Sequence, residues 1–168
     1  MDDKMDIIQK ELDILFIGFN PSLVSGKTGH HYANKNNRFW KILFKAGITD
    51  RLYKPEEDAS LVKRGIGFTN IVARPTKTAN EITREEYKIG REILKRKISE
   101  YRPKVAFFVG KGVYLQYSQR KNAEWGKQEQ SMIEGVIDFV APSSSGLVRM
   151  DLETIITIYR QVHNIFHN

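Results

Sequence analysis

Apolar residues in this chain fall into two patterns. The first is the short, unbroken run. Residues 12–19 (LDILFIGF), 67–72 (GFTNIV), 104–110 (KVAFFVG) and 136–141 (VIDFVA) are of strand length and lack polar alternation. Strands of this kind are buried on both faces. The second is helical recurrence. Residues 38–44 (RFWKILF) read as a helix, with Asn37 as N-cap and Gly47 as stop. Thr83 and Glu86 form a capping box that opens a long helix to about Tyr101, ended by Pro103. Another helix is predicted from Lys111 to about Ser118. In the last one, capped by Asp151, the residues Leu152, Ile155, Ile156, Tyr159, Val162 and Phe166 recur at helical spacing.

Strands alternate with helices, and the strands are apolar throughout. This predicts an α/β fold of three layers, α/β/α, with a central, mostly parallel sheet. No repeat or low-complexity tract divides the chain, so one domain over residues 1–168 is expected. In open α/β sheets ligands bind at the carboxyl ends of the strands. The loops that start at Asn20, Arg74 and Pro142 should therefore converge on a site.

Composition narrows the chemistry. There is no cysteine, which removes disulfides, thiolate nucleophiles and Cys-ligated metals. Of four histidines, His163 and His167 stand at i, i+4 but lack the Glu of a HExxH motif; a frayed helix end accounts for them. No metal site is expected. Lys and Arg total 27 against 20 acidic residues, a net charge of +7, which favours a polyanionic partner such as nucleic acid. The densest basic stretch, residues 91–104, reads as a solvated helix face. No apolar run approaches the roughly 20 residues of a membrane span, and the acidic start of the chain is unlike a signal peptide. A cytoplasmic or nucleoid setting and a monomer are the expectations.

Two motif readings fail. Ser25-Gly26-Lys27-Thr28 suggests a phosphate-binding NTPase loop, but Pro21 stands where that loop needs its first Gly. No helix start follows Thr28 either. Ser144 would need a Gly at Pro142 to be the nucleophile of a hydrolase elbow. The run Ser143-Ser144-Ser145-Gly146 instead suits a loop pressed on a phosphate backbone, or a plain polar turn.

An ordered set of motifs carries a family resemblance. Gly18-Phe19-Asn20-Pro21-Ser22 follows strand one. Gly29-His30-His31-Tyr32 and Asn37-Arg38-Phe39-Trp40 come next. Then come residues 70–76 (NIVARPT), Trp125-Gly126-Lys127-Gln128, and residues 143–149 (SSSGLVR). In this order they resemble the uracil-DNA glycosylases, most of all the mismatch-specific uracil- and thymine-DNA glycosylase family. The resemblance spans nearly the whole chain. It implies a metal-free, cofactor-free hydrolase that cleaves the N-glycosidic bond of a deaminated or mismatched base. Its partner would be double-stranded DNA with G·U or G·T mismatches.

The resemblance also assigns roles. Asn20 matches the residue that orients the attacking water; a neutral amide is a poor base but both donates and accepts hydrogen bonds. Tyr32 matches the aromatic platform for the flipped base. Phe19 is placed at the pocket wall and Asn70 among the donors to the leaving base. His31 either hydrogen-bonds the base or supports its loop, and Ser25 helps place the water or Asn20. Leu147 matches the wedge that fills the hole left by the base, with an ordinary core Leu as the alternative. Ser143, Ser144, Ser145 and Gly146 would pinch the strand, and Arg149 would hold phosphate or the opposite base. Phe19 replaces the family's usual Ile and Ser22 its usual Gly. If that Gly serves a permissive backbone angle, Ser22 would reshape the pocket floor. A non-cleaving mismatch sensor of the same fold is the competing reading.

Overall fold

The computed structural model describes residues 4–167. Five strands form one sheet: β1 (Ile14–Gly18), β2 (Ile66–Asn70), β3 (Val105–Val109), β4 (Gly126–Lys127) and β5 (Ile137–Ala141). Their order is β2-β1-β3-β5-β4. All neighbours are parallel except the two-residue β4, which runs antiparallel on the outer edge of β5. This is the predicted α/β/α sandwich.

The apolar runs have two faces because side chains alternate across a strand. Ile14, Phe16, Phe68, Phe107 and Phe139 point into one core, with α2 (Phe39–Lys45) and α5 (Leu152–Arg160). Leu15, Ile17, Ala106, Phe108 and Val140 point into the other, with α3 (Arg84–Tyr101) and α4 (Lys111–Ser118). The capping box at α3 forms as predicted, with Thr83 Oγ1 accepting from the Glu86 N–H at 3.1 Å.

Several boundaries differ from expectation. The segment 20–37 is not all loop: α1 (Leu23–Thr28) lies inside it, capped by Ser22, whose Oγ accepts from the Ser25 N–H at 3.0 Å. The Lys27-Thr28 pair therefore ends a helix, whereas a phosphate loop needs it to begin one. The N-cap position of α2 is Arg38, not Asn37, although Asn37 Oδ1 still accepts from the Phe39 N–H at 3.0 Å. Strand β2 stops at Asn70, two residues early. The final helix breaks, with a short α6 (His163–Phe166) after α5. Asp151 occupies the N-cap of α5 without a side-chain capping bond. A 3₁₀ helix, Pro55–Arg64, lies where no element is predicted from the sequence. Ile7 pairs antiparallel with Phe68 and covers the free edge of β2.

Register places the site. Gly18 stands opposite Asn70, and Val109 opposite Ala141. The chain leaves each strand at the same level, so the segments after Gly18, Asn70 and Ala141 meet above one end of the sheet.

Candidate active site

These segments enclose a cavity of about 330 Å³, near the lower end of small-ligand sites, about 300–1,000 Å³. Its floor is Gly18. A Cβ there would stand 2.7 Å from Asn70 Oδ1 and 3.0 Å from the Tyr32 hydroxyl. The missing side chain is thus what lets Asn70 and Tyr32 close in over the backbone at this point. Asn70 lines the cavity from the end of β2. Its side-chain amide makes no hydrogen bond among the described residues, so it keeps donors and an acceptor for a ligand.

Asn20 is held rigidly. Its Nδ2 donates to the Arg74 carbonyl at 2.7 Å and to Thr76 Oγ1 at 2.8 Å. A carbonyl only accepts, so the amide nitrogen must face it and the orientation is unambiguous. Thr76 Oγ1 in turn donates a hydrogen bond to the Thr78 carbonyl at 2.7 Å. The loops after β1 and β2 are stitched together around this pair, with the Thr76 N–H donating to the Pro21 carbonyl at 3.2 Å. Both amide hydrogens are spent on protein acceptors. Asn20 therefore offers the cavity its Oδ1 alone, an acceptor only, and not the donor-and-acceptor pair expected from the residue type.

Tyr32 lies flat on Phe39, with ring centroids 3.8 Å apart and planes 11° from parallel. Phe39 is fully buried, whereas Tyr32 lines the cavity. The stack is therefore a backed aromatic platform. Tyr32 sits at φ 52°, in the left-handed region, a cost of about 1–3 kcal/mol for a non-Gly residue that tends to mark functional positions. Its hydroxyl is buried without a hydrogen-bond partner among the described residues, and burial raises its pKa well above the ordinary phenol value.

The segment after β5 forms the opposite rim. Ser144 is buried, with an unpartnered Oγ. Ser143 Oγ accepts from the Ser145 N–H at 3.2 Å, and Ser145 Oγ from the Leu147 N–H at 3.2 Å. Leu147 is 88% exposed and lines the cavity mouth. It is not a core residue. Arg149 is exposed and pairs with no acid among the described residues.

Residues 5–162 match the uracil DNA glycosylase superfamily. The chain belongs to that superfamily. Its fold is also similar to the solution NMR structure of a Methanosarcina acetivorans protein provisionally assigned as a uracil DNA glycosylase. That comparison gives a TM-score of 0.58 at 19% identity, covering 94% of this chain and 95% of the other. Family membership makes DNA the substrate and base excision the activity.

No Asp or Glu lines the cavity among the described residues; its ionisable side chains are His31, Tyr32 and Lys77. His31 is a supporting residue by its contacts. Its Nε2 meets the Met5 carbonyl at 2.6 Å and its N–H donates to Asp58 at 2.8 Å. Its ring stacks on Phe68, with centroids 5.3 Å apart. Ser25 Oγ is likewise engaged, accepting from the Ala33 N–H at 3.0 Å, and so braces the Tyr32 loop. Ser22 adopts φ −66°, ψ 168°, ordinary extended backbone, so this position does not require Gly here. Phe19 lines the cavity and folds its ring over Gly110 and Gly112 at the start of α4.

Sequence reasoning missed Thr76 and Arg38 as site residues. Both lie inside the motifs that carry the resemblance, in NIVARPT and NRFW, and that position was the available signal. Described residues provide no cluster of three or more His, Asp or Glu placed to hold a metal ion. No helix among them is long and apolar enough to cross a membrane.

Proposed function

We propose that this chain is a monofunctional, mismatch-type glycosylase. Uracil opposite guanine is its lead substrate, and thymine opposite guanine the second to test. The observation that carries the reading is the locked amide of Asn20. Its Oδ1 is presented to a cavity floored by Gly18 and walled by the Tyr32 platform.

The flipped base stacks on Tyr32, and Asn70 with nearby backbone N–H groups stabilises the charge on the departing base. The N-glycosidic bond breaks as the sugar gains oxocarbenium character, and the base leaves as an anion. A water held on Asn20 Oδ1 adds to C1′ and loses its proton to solvent. An acceptor-only Asn20 suits this order of events, since it orients water without needing to ionise it. Extrusion of the base costs a few kcal/mol, least for a mispaired base, and this favours G·U and G·T over U·A. Leu147 fills the vacated space, while Ser143, Ser145, Gly146 and Arg149 meet the backbone and the opposite strand.

The test is base release from labelled duplexes holding U·G, U·A and T·G, by wild type and Asn20→Ala. Release from U·G that disappears in the variant, with duplex binding retained, is the expected result. Wild-type protein that binds the U·G duplex and never frees the base would make the chain a mismatch-binding module instead.

A further inference from the structure

The wedge loop and the base platform are tied together by one residue. The Arg38 N–H donates to the Ser144 carbonyl at 3.0 Å, and its guanidinium donates to the Ser145 carbonyl, also at 3.0 Å. Gly146 lies flat against residue 36: a Cβ there would stand 2.5 Å from the Asn36 carbonyl oxygen. The loop that carries Leu147 is therefore docked on the segment just before α2. The next residue along, Phe39, backs the Tyr32 ring. Adjacent side chains thus grip the wedge on one side and the platform on the other.

We infer that Arg38 is a positioning residue that couples Leu147 to the Tyr32–Phe39 platform, so that wedge insertion and capture of the flipped base occur as one event. The reasoning rests on chain geometry. Leu147 is 88% exposed, and core packing does not set its direction. Its orientation is set by the turn beneath it; Tyr159 holds the start of that segment through the Pro142 carbonyl at 2.8 Å, and Arg38 holds the turn itself through the Ser145 carbonyl. Among the described residues the guanidinium pairs with no acid; it donates to a backbone carbonyl 107 residues away. One nitrogen, Nε, is buried and has no partner among the described residues. Holding a cation beneath a loop with so few contacts has a desolvation cost. Positioning the loop accounts for it.

The inference rests on the glycosylase reading, and two readouts separate their failures. The first is single-turnover base release from a G·U duplex and from a duplex with uracil opposite an abasic site, where no base pair must open. Arg38→Met is expected to slow the G·U duplex about tenfold more than the unpaired substrate, and Arg38→Lys, which restores a donor, to recover most of the loss. The double variant Arg38→Met/Leu147→Ala should be no slower than Leu147→Ala alone, since the two residues act as one unit. The second readout needs no chemistry: the fluorescence of 2-aminopurine placed beside the mismatch, which rises when the stack opens. Arg38→Met should lose most of that rise while matching wild type in thermal melting. Equal losses on both DNA substrates, or additive losses in the double variant, would overturn the inference. So would an unchanged 2-aminopurine signal in folded Arg38→Met. Wild-type protein that opens the stack through Arg38 but frees no base would overturn the glycosylase reading and leave the coupling intact.

Discussion

The side-chain nitrogen of Asn20 lies 2.8 Å from the hydroxyl of Thr76, and that hydroxyl in turn donates to the Thr78 carbonyl. The two residues stand 56 positions apart in the chain. Their contact decides which end of the Asn20 amide faces the cavity. Hydrogen bonds in series also polarise one another, so donation through Nδ2 makes Oδ1 the better acceptor.

Thr76→Val removes this relay while keeping the volume. Base release under single-turnover conditions should fall about 10- to 100-fold, the scale of a small misplacement at a reacting centre. DNA affinity should stay near wild type, and Thr76→Ser should restore most of the rate. A Thr76→Val protein as fast as wild type would mean that Asn20 is oriented by the Arg74 carbonyl alone.

Gly18→Ala tests the floor. The added methyl would stand 2.7 Å from Asn70 Oδ1 and 3.0 Å from the Tyr32 hydroxyl, and so would push both side chains from their places in the cavity wall. The expected result is a folded protein that binds mismatched duplex but releases base at least about 100-fold more slowly. Unimpaired release would mean that neither Asn70 nor Tyr32 needs its present position for the reaction.

The pH–rate profile follows from the lining. No carboxylate reaches the cavity among the described residues, and burial holds the Tyr32 hydroxyl protonated far above neutrality. The rate of the chemical step should therefore vary little, less than about threefold, from about pH 6 to about pH 9. A steep loss on the acid side of that range would make His31, the imidazole in the cavity lining, a general base rather than a brace.

Stability carries a separate pH signature. Asp138 is fully buried beneath α4; its Oδ2 accepts from the Tyr114 hydroxyl and the Met132 N–H, each at 3.0 Å, and its Oδ1 has no partner among the described residues. Loss of solvation pushes its pKa up from 3.8 to about 6. The native state therefore holds a proton that the unfolded chain has released between these values, and stability falls as pH rises through that window. A shift of this size corresponds to about 1–3 kcal/mol. Glu57 and Glu86 are shifted the other way, to about 2, chiefly by the hydrogen bonds from Arg51 and Arg74 respectively, so the contribution must be isolated by difference. Urea unfolding at about pH 4.5 and about pH 7.5 should show wild type losing more stability over that interval than Asp138→Asn. Parallel pH dependence in the two proteins would mean that Asp138 titrates normally.

The sequence by itself determined the strands, the layers and the level at which the loops meet. Apolar runs of strand length, the Thr83–Glu86 capping box and the stripe on the last helix are local signals, each readable within a window of a few residues. Asn20, Tyr32 and Leu147 were legible as well, because each stands inside a short motif. Less local were α1, whose only start signal is a single Ser at position 22 within a polar stretch, and β4, two residues that exist as a strand only because β5 lies beside them. Tertiary structure alone decided what the site residues can do. It turned Asn20 into an acceptor, made His31 a brace, showed Leu147 standing free of the core, and brought Thr76 and Arg38 to partners 56 and 107 residues away. A residue type states which hydrogen bonds are available. Which of them the fold consumes depends on groups brought together across the chain, and only the remainder is left for a substrate.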